Sequence, residues 1–200
     1  MADKAFELPR SLIRKHGTND PFRIAKELNI PVHFRSMKRQ KAFCLCVMRN
    51  YSIHINENLS EQMQRMACAH ELGHIMLHKD LLRPEKGEKA RQLVELELFD
   101  ITSMTEYEAN LFAANLLIDE DRVLDGLRDG SDIVTIASTL NVNVNLLAIK
   151  LVEMKKTGLP VEVPFTPSRR FLGKIEDRAD ALPRQKVKII LRYRYAYRSQ

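Results

Sequence analysis

The stretch Arg65-Met66-Ala67-Cys68-Ala69-His70-Glu71-Leu72-Gly73-His74-Ile75-Met76-Leu77-His78 holds two histidines four residues apart, with a glutamate directly after the first. Just upstream, Ser60 is suited to cap a helix and Glu61 to sit in its first turn. Met63, Met66, Ala67, Ala69, Leu72, Ile75 and Met76 make the segment apolar on most sides. This pattern predicts a buried central helix running to about Leu77. On such a helix, residues i and i+4 lie one turn apart on the same face. His70 and His74 can therefore turn their imidazoles to one metal ion, at about 2.0–2.1 Å for zinc. Glu71 lies about 100° round the helix from His70. It is badly placed as a further ligand, but it can reach a water that the ion activates, as a general base does in metal-assisted hydrolysis. With 6 histidines in 200 residues, the five-residue pattern is expected by chance only about 0.01 times.

A catalytic zinc site takes three protein ligands and keeps a fourth position open. Position 80 holds Asp80 rather than a third histidine. His78 lies two turns, about 12 Å, along the helix from His70, too far for both to hold one ion. It is expected as a polar residue at the helix end, where the dipole favours it. A second helix must supply the third ligand. Glu106-Tyr107-Glu108-Ala109-Asn110 is the best candidate. Glu106 and Asn110 are i and i+4 and share a face. Glu106 would bind the ion, and Asn110 would accept a hydrogen bond from the non-ligating nitrogen of a zinc-bound histidine. Glu108 points about 200° away from Glu106 and is expected in solvent.

Outward from these motifs, the chain reads as mixed α and β. Asp20-Pro21 matches a capping residue followed by proline at the first helical position, and Pro31 ends that helix. Val32–Phe34 can form a short strand. Ala42–Met48 and Tyr51–Ile55 flank Arg49-Asn50 as a hairpin, with Ile53 and Ile55 on one face and His54 on the other. Cys44 and Cys46 share a face but are too close in sequence for the usual thiolate zinc pair. Together with Cys68, they are expected to be buried and inert. His54 is expected at the surface. Residues 88–101 are ambiguous, since Val94, Leu96 and Leu98 alternate like a strand in a composition that favours helix. Ser103-Met104-Thr105-Glu106 matches a capping box and opens a helix to about Ile118. Further helices are expected near 120–128, 132–140 and from Asn145 to Lys156. Ile136-Ala137 and Leu140-Asn141-Val142 have a helix-turn-helix spacing. No Arg or Lys precedes Lys150 in the second helix, so a helical layer behind the metal site is the better reading.

Gly158-Leu159-Pro160 closes this body, giving a domain over 1–158 and a tail over 159–200. From Val161 to Gln200 there are ten basic and four acidic residues, so the whole net charge of +6 resides there. Such a tail can touch nucleic acid or an acidic partner, but a solvated segment is the favoured reading. No apolar run reaches the roughly 18 residues of a membrane span. Met1–Glu7 has no apolar signal core, and three cysteines without framework spacing fit a reducing compartment. A cytoplasmic protein without membrane contact is expected.

The helix around His70 and His74, followed by Glu106-Tyr107-Glu108-Ala109-Asn110-Leu111-Phe112-Ala113-Ala114-Asn115-Leu116-Leu117, resembles the ImmA/IrrE family of metallo-endopeptidases. Leu28-Asn29-Ile30-Pro31-Val32, Ile53-His54-Ile55-Asn56 and Leu140-Asn141-Val142 fit the same family, and the likeness covers roughly residues 8–157. It implies an α+β, zincin-like fold, mainly helical with a small β-sheet. It also implies a Zn2+ ion and a third ligand four residues before the Asn of the second motif, which is Glu106. The resemblance further implies a bacterial cytoplasm, a phage or mobile element as carrier, and a helix-turn-helix repressor as protein substrate. One departure is visible: Leu116-Leu117-Ile118-Asp119 stands where the family usually closes with proline.

Two functions follow. One is a zinc-dependent endopeptidase acting on a specific cytoplasmic protein. The other is a non-catalytic regulator that keeps the metal fold and binds a repressor or DNA. Glu71 favours the first, because a structural metal site has no need of a base.

Overall fold

The computed structural model describes residues 2–84, 90–93 and 104–158. The expected boundary after residue 158, the basic segment 159–200, the Ser103 cap and the alternating Val94, Leu96 and Leu98 lie outside the described residues. Along the described chain run α1 (Ala2–His16), α2 (Pro21–Glu27), β1 (Val32–Arg35), β2 (Ala42–Val47), β3 (Asn50–Asn56) and α3 (Glu61–Leu77). They are followed by α4 (Lys79–Leu82), β4 (Ala90–Leu93), α5 (Met104–Leu117), α6 (Glu120–Arg128), α7 (Ile133–Thr139) and α8 (Val144–Lys156). This is a mainly helical α+β arrangement with one small mixed sheet, consistent with a zincin-like fold. None of the described helices is by itself long and apolar enough to cross a membrane.

The sheet has the order β1-β3-β2-β4, with β1 parallel to β3 and the other pairs antiparallel. The β2–β3 turn falls on Met48 and Arg49, one residue earlier than the sequence suggests. Both have left-handed φ, 47° and 69°, as a two-residue hairpin loop needs to match the strand twist. Ala42, Cys44 and Cys46 of β2 alternate inward with Ile53 and Ile55 of β3, and α3 packs on this face.

Three turns of α3 are buried on every side, from Met66 through Ile75. The helix lies between the sheet and α5, which is itself buried from Glu108 through Leu117. Ser60 caps α3, its Oγ accepting from Met63 N–H at 3.3 Å. Gly73 sits at the crossing with α5. A Cβ there would lie 3.1 Å from the Ala109 carbonyl oxygen and 3.2 Å from the Phe112 Cβ.

Helix α1 is not apparent in the sequence, because Pro9 lies inside it. Proline removes the N–H that would bond the carbonyl four residues back, that of Ala5. Asn115 of α5 replaces that donor, its Nδ2 bonding Ala5 O at 3.3 Å. The same side chain accepts from the buried Lys150 ammonium of α8 at 2.7 Å, and Lys150 also reaches Glu120 of α6 at 2.7 Å. Asp119 caps α6, its carboxylate accepting from Asp121 N–H at 2.9 Å. α7 and α8 meet at 106°, and α8 buries Leu146, Leu147 and Ala148 while packing on α5. The pair is thus a helical layer behind α5.

Candidate metal centre

His70 and His74 project from consecutive turns of α3, and Glu106 from the first turn of α5. Their ligand atoms converge as the spacing predicts. The two Nε2 atoms are 3.0 Å apart. Glu106 Oε2 lies 3.3 Å from His70 Nε2, and Oε1 lies 3.2 Å from His74 Nε2. Both imidazoles are buried, while Glu106 is partly exposed. The close approach at Gly73 and Ala109 lets a carboxylate on one helix reach two rings on the other.

The donor chemistry fits a cation. Asn110 lies one turn after Glu106, and His70 Nδ1 donates to its Oδ1 at 2.9 Å. That leaves the Nε2 of a neutral His70 ring as a lone pair facing the cluster. Burial pushes the His74 imidazole down to about 4, with His70 and His78 acting in the same direction and the Glu106 carboxylate opposing. For Glu106, burial acts upward, but hydrogen bonding and charge from His70 and His74 outweigh it and hold the carboxyl well below the usual range. A carboxylate and two buried imidazoles thus face one another across about 3 Å. A divalent ion relieves all three, and two imidazoles with one carboxylate are a donor set that zinc accepts. Among the described residues this trio is the one group of His, Cys, Asp and Glu side chains arranged to hold a metal.

Glu71 is buried beside His70 on α3. The Cys44 thiol of β2 hydrogen-bonds to it. Burial, followed by the charge and hydrogen bond of Glu71, raises the Cys44 thiol well above its ordinary pKa. All three cysteines are free and buried, as the sequence suggests. The contact of Cys44 with Glu71 is one that sequence spacing could not indicate, because the two lie on different elements.

Two sequence expectations, for Glu108 and His54, differ from the structure. Glu108 is not in solvent but buried at 5% exposure, its Oε2 3.0 Å from His78 Nε2. A helical wheel assigns the far face of α5 to water, whereas α5 is buried all round from this residue onward. His78 ends α3 as expected, but it is buried too, with its Nδ1 3.2 Å from His74 Nδ1. His54 is buried rather than at the surface. It pairs with His33 on β1 and Phe43 on β2, whose rings stack on it at 5.0 Å and 4.7 Å. Burial first, then the charges of Arg35 and His33, lower its imidazole to about 4.

Comparison with known proteins agrees with this geometry. The sequence pattern of the IrrE N-terminal-like domain matches residues 25–152. "Uncharacterized immunity region protein 2" of Bacillus phage phi105 is 33% identical over 108 residues, covering 54% of this chain and 63% of that protein. "Metallopeptidase ImmA" of Bacillus subtilis (strain 168) is 31% identical over 120 residues, covering 59% of this chain and 65% of that protein. The chain therefore spans just under two thirds of the length of each of these relatives. With the match to residues 25–152 containing both the α3 histidines and Glu106 of α5, the chain belongs to the IrrE N-terminal-like domain family.

Proposed function

We propose that this chain is a zinc-dependent endopeptidase that cleaves a specific cytoplasmic protein, a helix-turn-helix repressor controlling a phage or mobile element. The observation that carries this reading is the meeting of His70 and His74 of α3 with Glu106 of α5, and the burial of Glu71 next to His70 on α3. The names of the two relatives, a metallopeptidase and a phage immunity region protein, support the activity class and the biological setting.

In this reading His70, His74 and Glu106 hold the ion. Zinc, when bound, supplies a Lewis acid that polarises the scissile carbonyl and acidifies water. Glu71 takes the proton of the attacking water on its carboxylate and passes it to the departing amine. The Cys44 thiol, hydrogen-bonded to that carboxylate, holds it in one orientation. Asn110 keeps the His70 proton on Nδ1 and so keeps Nε2 free for the metal.

Intact-mass spectrometry tests the reading. The zinc-loaded chain is incubated with a candidate helix-turn-helix repressor, with and without a chelator. The expected result is two fragments whose masses add to the repressor plus one water, abolished by the chelator. A stable complex that yields no fragments would instead favour a regulator that binds without turnover.

A further inference from the structure

We propose that His78 and Glu108 are positioning residues that act on the metal through His74. The proposal rests on the metal site described above and adds two residues to it. Three observations carry it: a 3.2 Å contact between His74 Nδ1 and His78 Nδ1, a 3.0 Å contact between His78 Nε2 and Glu108 Oε2, and the burial of all three side chains.

The direction of each hydrogen bond follows from the chemistry of the ends. A histidine that presents Nε2 to a metal carries its proton on Nδ1. His74 Nδ1–H must then donate, and His78 Nδ1 must accept. A neutral His78 with an acceptor at Nδ1 carries its proton on Nε2. That proton faces Glu108 Oε2, and an ionised carboxylate only accepts. The chain therefore has one consistent arrangement from Glu108 through His78 to His74, with every proton between a donor and an acceptor. Reversing either bond would put a proton on His74 Nε2, where the ion belongs.

The backbone fixes the middle member. His78 is the residue at which α3 ends and α4 begins. Its N–H bonds His74 O at 2.9 Å, and its carbonyl accepts from Leu81 and Leu82. The ring thus sits directly over the turn that carries His74. Glu108 Oε1 has no hydrogen-bond partner among the described residues, so the carboxylate directs its one described bond to His78. Helix α5 thereby acts on both histidines, on His70 through Asn110 and on His74 through Glu108.

Zinc affinity, measured by competition with a chromophoric chelator, tests the relay. Outer partners of ligating histidines typically contribute 10–100-fold in metal affinity. His78→Phe should weaken zinc binding by that factor. His78→Asn, whose Oδ1 can take the acceptor position of Nδ1, should recover most of it. Glu108→Leu should weaken binding, and Glu108→Gln, which still offers an acceptor, should remain within a few-fold of wild type. The double variant His78→Phe/Glu108→Leu should bind no more weakly than the weaker single variant, because both act through one chain. Nitrogen-15 NMR of labelled histidines in the zinc-loaded wild type should show His78 as the Nε2–H tautomer. Equal zinc affinity in wild type and His78→Phe, additive losses in the double variant, or an Nδ1–H tautomer of His78 would each overturn the relay. A wild-type chain that binds no zinc would instead overturn the metal site itself.

Discussion

Gly73 of α3 and Ala109 of α5 meet so closely that a Cβ on Gly73 would lie 3.1 Å from the Ala109 carbonyl oxygen. The obstructing atoms include backbone, which cannot turn aside as a flexible side chain could. The spacing of the two helices, and hence the reach of Glu106 to His70 and His74, depends on the missing side chain at position 73.

Gly73→Ala should push the helices apart by a few tenths of an ångström. Overpacking of this kind costs about 1–3 kcal/mol. Urea denaturation of the metal-free protein should show the loss, and zinc affinity should fall as well. Unchanged affinity would mean that the Glu106 side chain absorbs the shift.

Glu106→Gln should weaken zinc binding far more than Glu108→Gln. The first exchanges a carboxylate facing both Nε2 atoms for a neutral amide. The second alters a group that reaches the cluster only through His78. Parallel zinc titrations check the order, and the reverse order would transfer the ligand role to Glu108.

Asn115→Ala should destabilise the fold. It removes the donor to the Ala5 carbonyl left free by Pro9, and one of the acceptors of Lys150. A buried polar group stripped of its partner costs about 1–3 kcal/mol. If the account is right, combining the change with Pro9→Ala should restore part of the loss, because a backbone N–H can then bond Ala5 O. An equal loss in both backgrounds, read from urea midpoints, would contradict it.

The metal-free protein should lose stability on mild acidification. His54 and His74 titrate near 4 in the folded chain instead of at 6.5. Between those values the unfolded chain binds protons that the folded one excludes. Stability is therefore full above about pH 6.5, falls as the pH drops toward about 4, and loses nothing further from these two rings below that. Urea melts of chelator-treated protein across this range should show the slope. His54→Phe, which keeps a ring between His33 and Phe43 without titrating, should reduce it. A flat profile would mean that the two rings protonate in the fold.

The α3 motif, the hairpin and the helices from α5 onward were legible because each is written in local pattern: periodicity, caps and turn residues. Glu106 and Asn110 were legible because one helical repeat puts them on one face. What escaped depends on partners far away in the chain. In α1 the donor that Pro9 removes is replaced by Asn115, far along the chain. Glu108 is hidden by neighbours on every side of α5, which a single-helix wheel does not contain. His54 is covered by two strands that pair with its own, and Cys44 meets Glu71 across the sheet–helix interface.

The proposed function is metal-dependent peptide hydrolysis with Glu71 as the base. Its most direct test compares wild type and Glu71→Gln, loaded to equal zinc content, in cleavage of the same repressor. Glutamine keeps the shape of the side chain and removes its basicity. Glu71→Gln should bind zinc equally and cleave more slowly by about 10²–10⁴-fold. Equal cleavage by the two proteins would contradict that function.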